Sequence, residues 1–362
     1  MDVAKKVSSY MNVNSLKKEI IVRKKRINRN SDIYVIGEIA CGHQGDVGQA
    51  IELIDAAAEA QADAVQLEFF HAPSNVVDSL PFYKLVEELS FTPAEWGRIV
   101  SHARRYDIAV SAFIYDDTGL QWALDLEPDL IKLNSSDISN PDLLIPVARS
   151  GIPFTLGTGA SSIEEITKAV NVSLKNGDGS LILQHGVQSF PTPSHEAHIR
   201  RIRLLQDEFD CLVMYADHTD ANLELALTLD LVAIGMGACA VEKHLVMKRL
   251  NKGVDWEAAL EPEEFKRYVD IMRTGSAALG PDHILAPTEN DERYRRFQKK
   301  SIVAATDLQM GTTLKREHVA FLRAQGDQEG LSPMQWNLIA NKRLTSDLAK
   351  GGQITMSHVK KT

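Results

Sequence analysis

The chain of 362 residues carries a formal charge of −9 and, at 44% hydrophobic and 25% charged, has an ordinary globular composition. The acidic balance gives no ground for a nucleic-acid or membrane-surface partner, and no apolar run approaches the ~20 residues that span a bilayer. With no signal-peptide pattern at the N-terminus and no CxxC pair among Cys41, Cys211 and Cys239, the sequence predicts a cytoplasmic protein without disulfides.

In chain order, residues 1–31 read as an N-terminal extension. Its basic run "VRKKRINRN" lies between apolar positions and fits a solvated hairpin or edge better than a nucleic-acid patch. Over residues 32–285, short apolar runs alternate with helical patterns. "DIYVIGEIA" reads as a strand, and "VGQAIELIDAAAEAQA" spaces its apolar residues as a helix does. "ADAVQLEFF" is the next strand, followed by a long loop with Pro73 and Pro81, then the helix "PAEWGRIVSHARRYD" with Pro93 near its start. Six further strands follow: "IAVSAFI", "PDLIKLN", "IPFTLGT", "SLILQHG", "CLVMYAD" and "ACAVEKHL". Helical segments such as "SIEEITKAVNVSLKNG" and "HEAHIRRIRLLQDEF" separate them. Eight βα units over roughly 250 residues predict an α/β fold, a (β/α)8 TIM barrel. An open doubly wound sheet is the alternative, without the GxGxxG fingerprint it often carries.

Residues 286–299 are polar and read as a linker. Residues 300–362 form a small module with an internal echo, "DLQMGTTLKREHV" from Asp307 and "DLAKGGQITMSHV" from Asp347. Matched Gly311 and Gly351 predict equivalent turns, which account for His318 and His358 better than ligand roles do.

A parallel barrel carries its chemistry where the strands end, and polar residues gather there. They are Glu38, Gln66 and Glu68, Ser111, Lys132 with residues 134–137, Thr158, Gln184 and His185, Asp217 and His218, and Glu242 and His244. One strand-end histidine is commonly structural. Two that close adjacent strands, about 4.8 Å apart, with carboxylates beside them, point to a divalent Lewis-acid site with positions left for water and substrate. His185 stays open between that site and the barrel wall. Lys132 stays open between an internal salt bridge and an anion binder for phosphate or carboxylate.

In their order, "GEIACGHQGD", "ADAVQLE", "IKLNSSD", "LGTGASSIEEI", "FPTPSHE", "YADHT", "VEKHL" and "LEPEEF" resemble the sialic acid synthase family. The closing "KKSIVAATDLQMGTTL" and "VAFLRAQG" resemble that family's antifreeze-like (SAF) domain. The resemblance implies condensation of phosphoenolpyruvate with an open-chain aldose of the N-acylhexosamine type, giving phosphate and a nine-carbon 2-keto-3-deoxy (nonulosonic) acid. It implies that His218 and His244 bind a divalent metal, Mn2+ first, with Mg2+ or Co2+ as alternatives. Lys132, with Ser111 and Ser135, would hold phosphoenolpyruvate, Glu38 and Asp255 would grip the sugar, and Glu242 would sit beside the reacting carbons. Glu38, Lys132 and Glu242 would then be catalytic, with Gln66, Glu68, Asp137, Gln188 and Phe190 completing the substrate contacts. Arg323 matches an arginine that reaches into the partner subunit's site, which implies a domain-swapped homodimer.

Departures from the family pattern cluster at the donor contacts. Gln66 stands where the family usually has Lys and Glu68 where it has Gln, one unit more negative in each case. Gly157 and Ala216 each stand for a Ser, Ala112 stands near an expected Thr, Gln188 replaces Asn and Phe190 replaces Tyr. At about 1.5–3 kcal/mol for a charge-assisted bond, losing a few would cost orders of magnitude in affinity. Two alternatives therefore stay open: an enzyme of this fold with another donor or acceptor, and a non-catalytic descendant that binds sugar or serves in assembly.

Overall fold

The computed structural model describes residues 15–280, 286–324 and 330–360. These fall into two units, the first ending at Gly280. It begins with an antiparallel hairpin of β1 (Ile20–Val22) and β2 (Lys25–Ile27). Eight parallel strands follow: β3 (Tyr34–Glu38), β4 (Ala64–Phe69), β5 (Ala109–Ile114), β6 (Leu130–Leu133), β7 (Phe154–Gly157), β8 (Leu181–His185), β9 (Leu212–Asp217) and β10 (Ala240–His244). Each pairs with the next and β10 closes on β3, so the sheet is a barrel and the open-sheet alternative falls away. A helix follows every strand, from Val47–Glu59 after β3 to Pro262–Leu279 after β10.

Local chemistry starts these helices where the pattern predicts. Asp46 caps the first by accepting from Gln49 N, and Thr92 with Glu95, and Ser162 with Glu165, form reciprocal capping boxes. Strand alternation then divides the core. Val35, Leu67, Ala112, Leu133, Leu183 and Val241 pack in the layer between strands and helices, whereas Ile36, Ala64, Leu130, Ile182, Met214 and Ala240 face the barrel axis.

The basic N-terminal stretch is a hairpin, as expected, but only one of its faces meets solvent. Ile20, Val22 and Ile27, at most 2% exposed, join the axial cluster beside Tyr34, Ala109 and Leu212. They stopper the end where the strands begin. Lys25 and Arg273 both pair with buried Asp63, whose carboxylate also accepts from Val35 N (2.6 Å).

In the second unit, the stretch expected as a linker holds a helix, Glu289–Gln298, capped by Thr288. Beyond it β11 (Lys300–Ala304) pairs antiparallel with β12 (Val319–Arg323). The internal echo is a structural repeat. Leu308 and Leu348 bridge each other, Asp347 accepts from Met310 N (2.6 Å), and Asp307 accepts from Lys350 N (2.8 Å). Gly311 and Gly351 both have left-handed backbones, φ +88° and +84°. His318 Nδ1 and His358 Nδ1 each accept from a backbone N–H three residues earlier, at 3.2 Å, and so hold matched turns.

Candidate active site

The inward residues of the last strand turn converge on a buried polar network. Lys132 Nζ lies 2.5 Å from Glu242 Oε1, 3.4 Å from Glu38 Oε1 and 4.0 Å from the centre of the Phe113 ring. The second Glu242 oxygen, Oε2, accepts from Gln66 Nε2 (3.0 Å) and Gln184 Nε2 (2.8 Å). Ser111 Oγ donates to Gln66 Oε1 (3.1 Å), which fixes the amide so that Nε2 faces Glu242. Burial, and then the charge of Glu38, pushes the Glu242 carboxyl up to about 7, while Lys132 pulls it down. Burial opposes charge on Lys132, but Glu242 and Glu38 outweigh it and hold its pKa above the usual lysine value. Lys132 is therefore an ammonium, and both its readings meet in one place: it is salt-bridged and it lines the cleft.

That cleft, about 430 Å3 and open to solvent, is walled by Glu38, Glu68, Lys132, Asn134, Gln188, Phe190, His218, His244 and Asp255, among others. Glu68 accepts from Tyr115 OH (2.7 Å) and Cys41 Sγ (3.2 Å). Burial raises its pKa against those two donors. Asp255 has a left-handed backbone (φ +58°), and no described residue donates a hydrogen bond to its carboxylate. Burial, and then Glu257, raises it to about 6.

The two histidines predicted as metal ligands come together, with ring centres 5.3 Å apart. His218 Nδ1 donates to Val187 O (2.7 Å), which leaves Nε2 free as a ligand atom. His244 Nε2 stands 3.4 Å from Glu38 Oε2, a buried oxygen without a hydrogen-bond partner. Burial lowers the two imidazoles to about 3 and about 4, His244 assisting at His218, so both are neutral. Among the described residues no three His, Cys, Asp or Glu side chains form a ready metal cage. The donor set fits a divalent ion held by two imidazoles, with water and substrate supplying the rest.

Other expected residues lie elsewhere. Gln66, Ser111 and Glu242 sit behind the cleft wall rather than on it. Ser135 bonds Asn134 Oδ1 through its N–H (2.7 Å) and Oγ (3.3 Å), and Asp137 accepts from Asn140 and Ser136, so both are occupied by their own turn. Arg323 ends β12 in the second unit, exposed. His185 points into the wall, where its Nε2 donates to Ala197 O (2.9 Å). Asp217 also faces outward, accepting from Lys243 and from Thr219 Oγ1 (2.7 Å). Of the departures, Ala112 lies in the outer layer, away from the cleft. Gly157 has no room for a side chain, because a Cβ there would meet Ser135 N at 2.8 Å.

Phe113, Tyr115 and Cys41 also meet the site, with no signal in the sequence to mark them, and Gln184, a strand-end residue without an assigned role, joins the network at Glu242. For Gln184 a signal existed: it lies two residues from axial Ile182, so alternation turns it inward while His185 turns out.

Fold and rim chemistry together place the chain among barrel proteins that carry a reactive cleft at the C-terminal strand ends. The sequence matches the NeuB family over residues 53–284 and the SAF domain over residues 299–360. The chain belongs to the NeuB family. It is 26% identical to the N,N'-diacetyllegionaminic acid synthase of Legionella pneumophila, over 90% of this chain and 94% of that one. It is 28% identical to a Methanocaldococcus jannaschii protein of uncharacterized function, over 89% and 93%. The N-acetylneuraminic acid synthetase structure from Leptospira borgpetersenii, in complex with citrate, superposes with a TM-score of 0.71 at 27% identity, over 77% of this chain and 95% of that one. Among the described residues no helix is long and apolar enough to cross a membrane.

Proposed function

We propose that the chain condenses phosphoenolpyruvate with an open-chain aldose to give a nonulosonic acid and phosphate. The observation that carries this reading is Lys132 set between Glu38 and Glu242 beside two neutral imidazoles, in a chain of the NeuB family. His218 and His244 would hold a divalent ion, Mn2+ first, whose chemistry when bound is to polarise an aldehyde oxygen.

The chain's own groups account for the remaining needs. Lys132 faces the donor's negative charge. Asp255, with no donor of its own, accepts from sugar hydroxyls, and Gln188 offers an amide beside Phe190. The enol carbon of the donor forms the new carbon–carbon bond and leaves positive charge at its C2, which the Glu38 and Glu242 carboxylates stabilise. Water adds at C2, and its proton passes to Glu38 Oε2, the buried oxygen without a partner. Glu38 returns that proton to the former aldehyde oxygen, and phosphate departs by C–O cleavage, taking the proton of the C2 hydroxyl and leaving the 2-keto acid. Glu242, behind the wall, thus acts as a stabiliser rather than as the proton acceptor. We extend the reading to a homodimer in which Arg323 of one subunit serves the cleft of the other.

A second reading is favoured by the charge of the cleft itself. Its wall carries Glu38, Glu68 and Asp255 against one cation, Lys132, and Gly157 and Ala216 offer no side-chain donors. A same-fold enzyme with a less charged donor fits that balance. Phosphate release from phosphoenolpyruvate decides between them, measured with Mn2+ and N-acetylmannosamine, mannose, their 6-phosphates and a 2,4-diacetamido-2,4,6-trideoxyhexose. Release that depends on one aldose class establishes the condensation. Silence from folded, metal-loaded protein moves the assignment to the second reading.

A further inference from the structure

Lys132 can serve an anionic ligand only to the extent that Glu242 lets it. The residue is 6% exposed and its ammonium already meets two carboxylates, so an incoming phosphate or carboxylate competes directly with Glu242 Oε1 at 2.5 Å. A free carboxylate would be able to turn and offer the lysine both oxygens. This one is not free. Its Oε2 is held by two amide N–H groups, from Gln66 at 3.0 Å on one side of the barrel and Gln184 at 2.8 Å on the other. Gln66 is itself oriented by Ser111 Oγ at 3.1 Å. All four residues are at most 3% exposed, so the amides meet the carboxylate out of reach of bulk solvent.

Resting on the reading of Lys132 as the donor's anchor, we propose that Gln66 and Gln184 form an amide clamp on Glu242 Oε2 that limits Glu242's hold on Lys132 and so sets the affinity of the cleft for an anionic donor. The amides withdraw negative charge toward Oε2 and fix the carboxylate plane, leaving one oxygen for the lysine. Without them Glu242 would neutralise Lys132 more completely, and an anion would find less charge to bind. Gln66 lies behind the cleft wall and Gln184 borders the cleft with its amide turned to Glu242, so both are positioning residues that act through Glu242.

A merely structural role, satisfying a buried carboxylate, predicts lost stability but no link to anion binding. A double-mutant cycle separates the two. Titration calorimetry of full-length protein with phosphoenolpyruvate, and separately with inorganic phosphate, is run with Mn2+ and without aldose, so turnover is not involved. Gln184→Met is expected to weaken anion binding about tenfold, the scale of one charge-assisted hydrogen bond. Glu242→Gln is expected to tighten binding by at least as much. In the Glu242→Gln background, Gln184→Met is expected to change affinity less than about twofold, because no charge is left to restrain. If Gln184→Met misfolds, Gln66→Met removes the other arm and completes the same cycle. Equal losses in both backgrounds, or no loss in either, overturn the clamp. If neither wild type nor Glu242→Gln binds either anion, both the clamp and the anchoring role of Lys132 fall. If the cycle holds but no aldose releases phosphate, the clamp stands and the condensation reading fails alone.

Discussion

His218 and His244 sit in a setting that keeps imidazole neutral: burial lowers them to about 3 and about 4, and a backbone carbonyl fixes the His218 tautomer. Neutral imidazole is the form that ligates metal. Replacing either with Ala is expected to lower turnover by at least ~100-fold and to weaken Mn2+ binding in equilibrium dialysis, with the circular dichroism of the barrel kept. Full activity in either variant would remove the metal assignment. Asp255 gives a pH prediction. Its carboxyl is raised to about 6 by burial, then Glu257, and the ionised form is the stronger acceptor for a sugar hydroxyl. The KM for aldose should therefore be flat above pH ~7 and rise as pH falls through ~6, approaching tenfold per unit below it. Asp255→Asn should give a high KM with that inflection gone. The places of His218, His244 and Asp255 at the cleft followed from the family resemblance. Glu242's place behind the wall was not, because strand-end position says that a side chain faces the axis but not whether a neighbour covers it. The outward turn of Asp217 and His185 was readable from the period-two alternation of β9 and β8, had parity been weighed above polarity.

At the scale of elements, the eight strands and their helices were readable because apolar periodicity and caps agreed along the chain. The hairpin of β1 and β2 was only half readable. Its cations advertise solvent, while Ile20, Val22 and Ile27 say nothing of where they insert until the barrel's axial floor exists. The insertion has an energetic consequence. Ile27 is 1% exposed, and truncating such a side chain to Ala costs about 2–5 kcal/mol, whereas Ile21 on the same hairpin is 55% exposed. In urea unfolding, Ile27→Ala should lower stability by at least ~2 kcal/mol and Ile21→Ala by less than ~0.5 kcal/mol. Equal effects would mean that the hairpin is not a stopper. The helix Glu289–Gln298 went unread as a helix because it has no buried residue, so nothing apolar marks its period.

For the whole molecule, the two units have separate cores. The first packs around the barrel, inside and out, and the second around Ile302, Leu314, Val319, Leu344, Ile354 and Val359, with no residue common to both clusters. Domains with their own cores fold as units, so a fragment ending at Gly280 should keep the barrel's far-ultraviolet spectrum and a cooperative melt. What it should lose is turnover. Arg323 ends a strand of the second unit as an exposed guanidinium without a partner among the described residues. A fixed fork of donors left in solvent suits an anionic group supplied from elsewhere. The fragment is therefore expected to turn over at least ~10-fold more slowly than the full chain, the loss expected of one charge-assisted contact. Arg323→Ala in the full chain should reproduce most of that loss while size-exclusion shows an unchanged assembly. If the fragment works at the full chain's rate, the second unit does not serve the cleft and Arg323 has no part in the reaction. If the fragment is slow but Arg323→Ala is normal, the unit contributes through another residue, and the anion contact assigned to Arg323 is wrong.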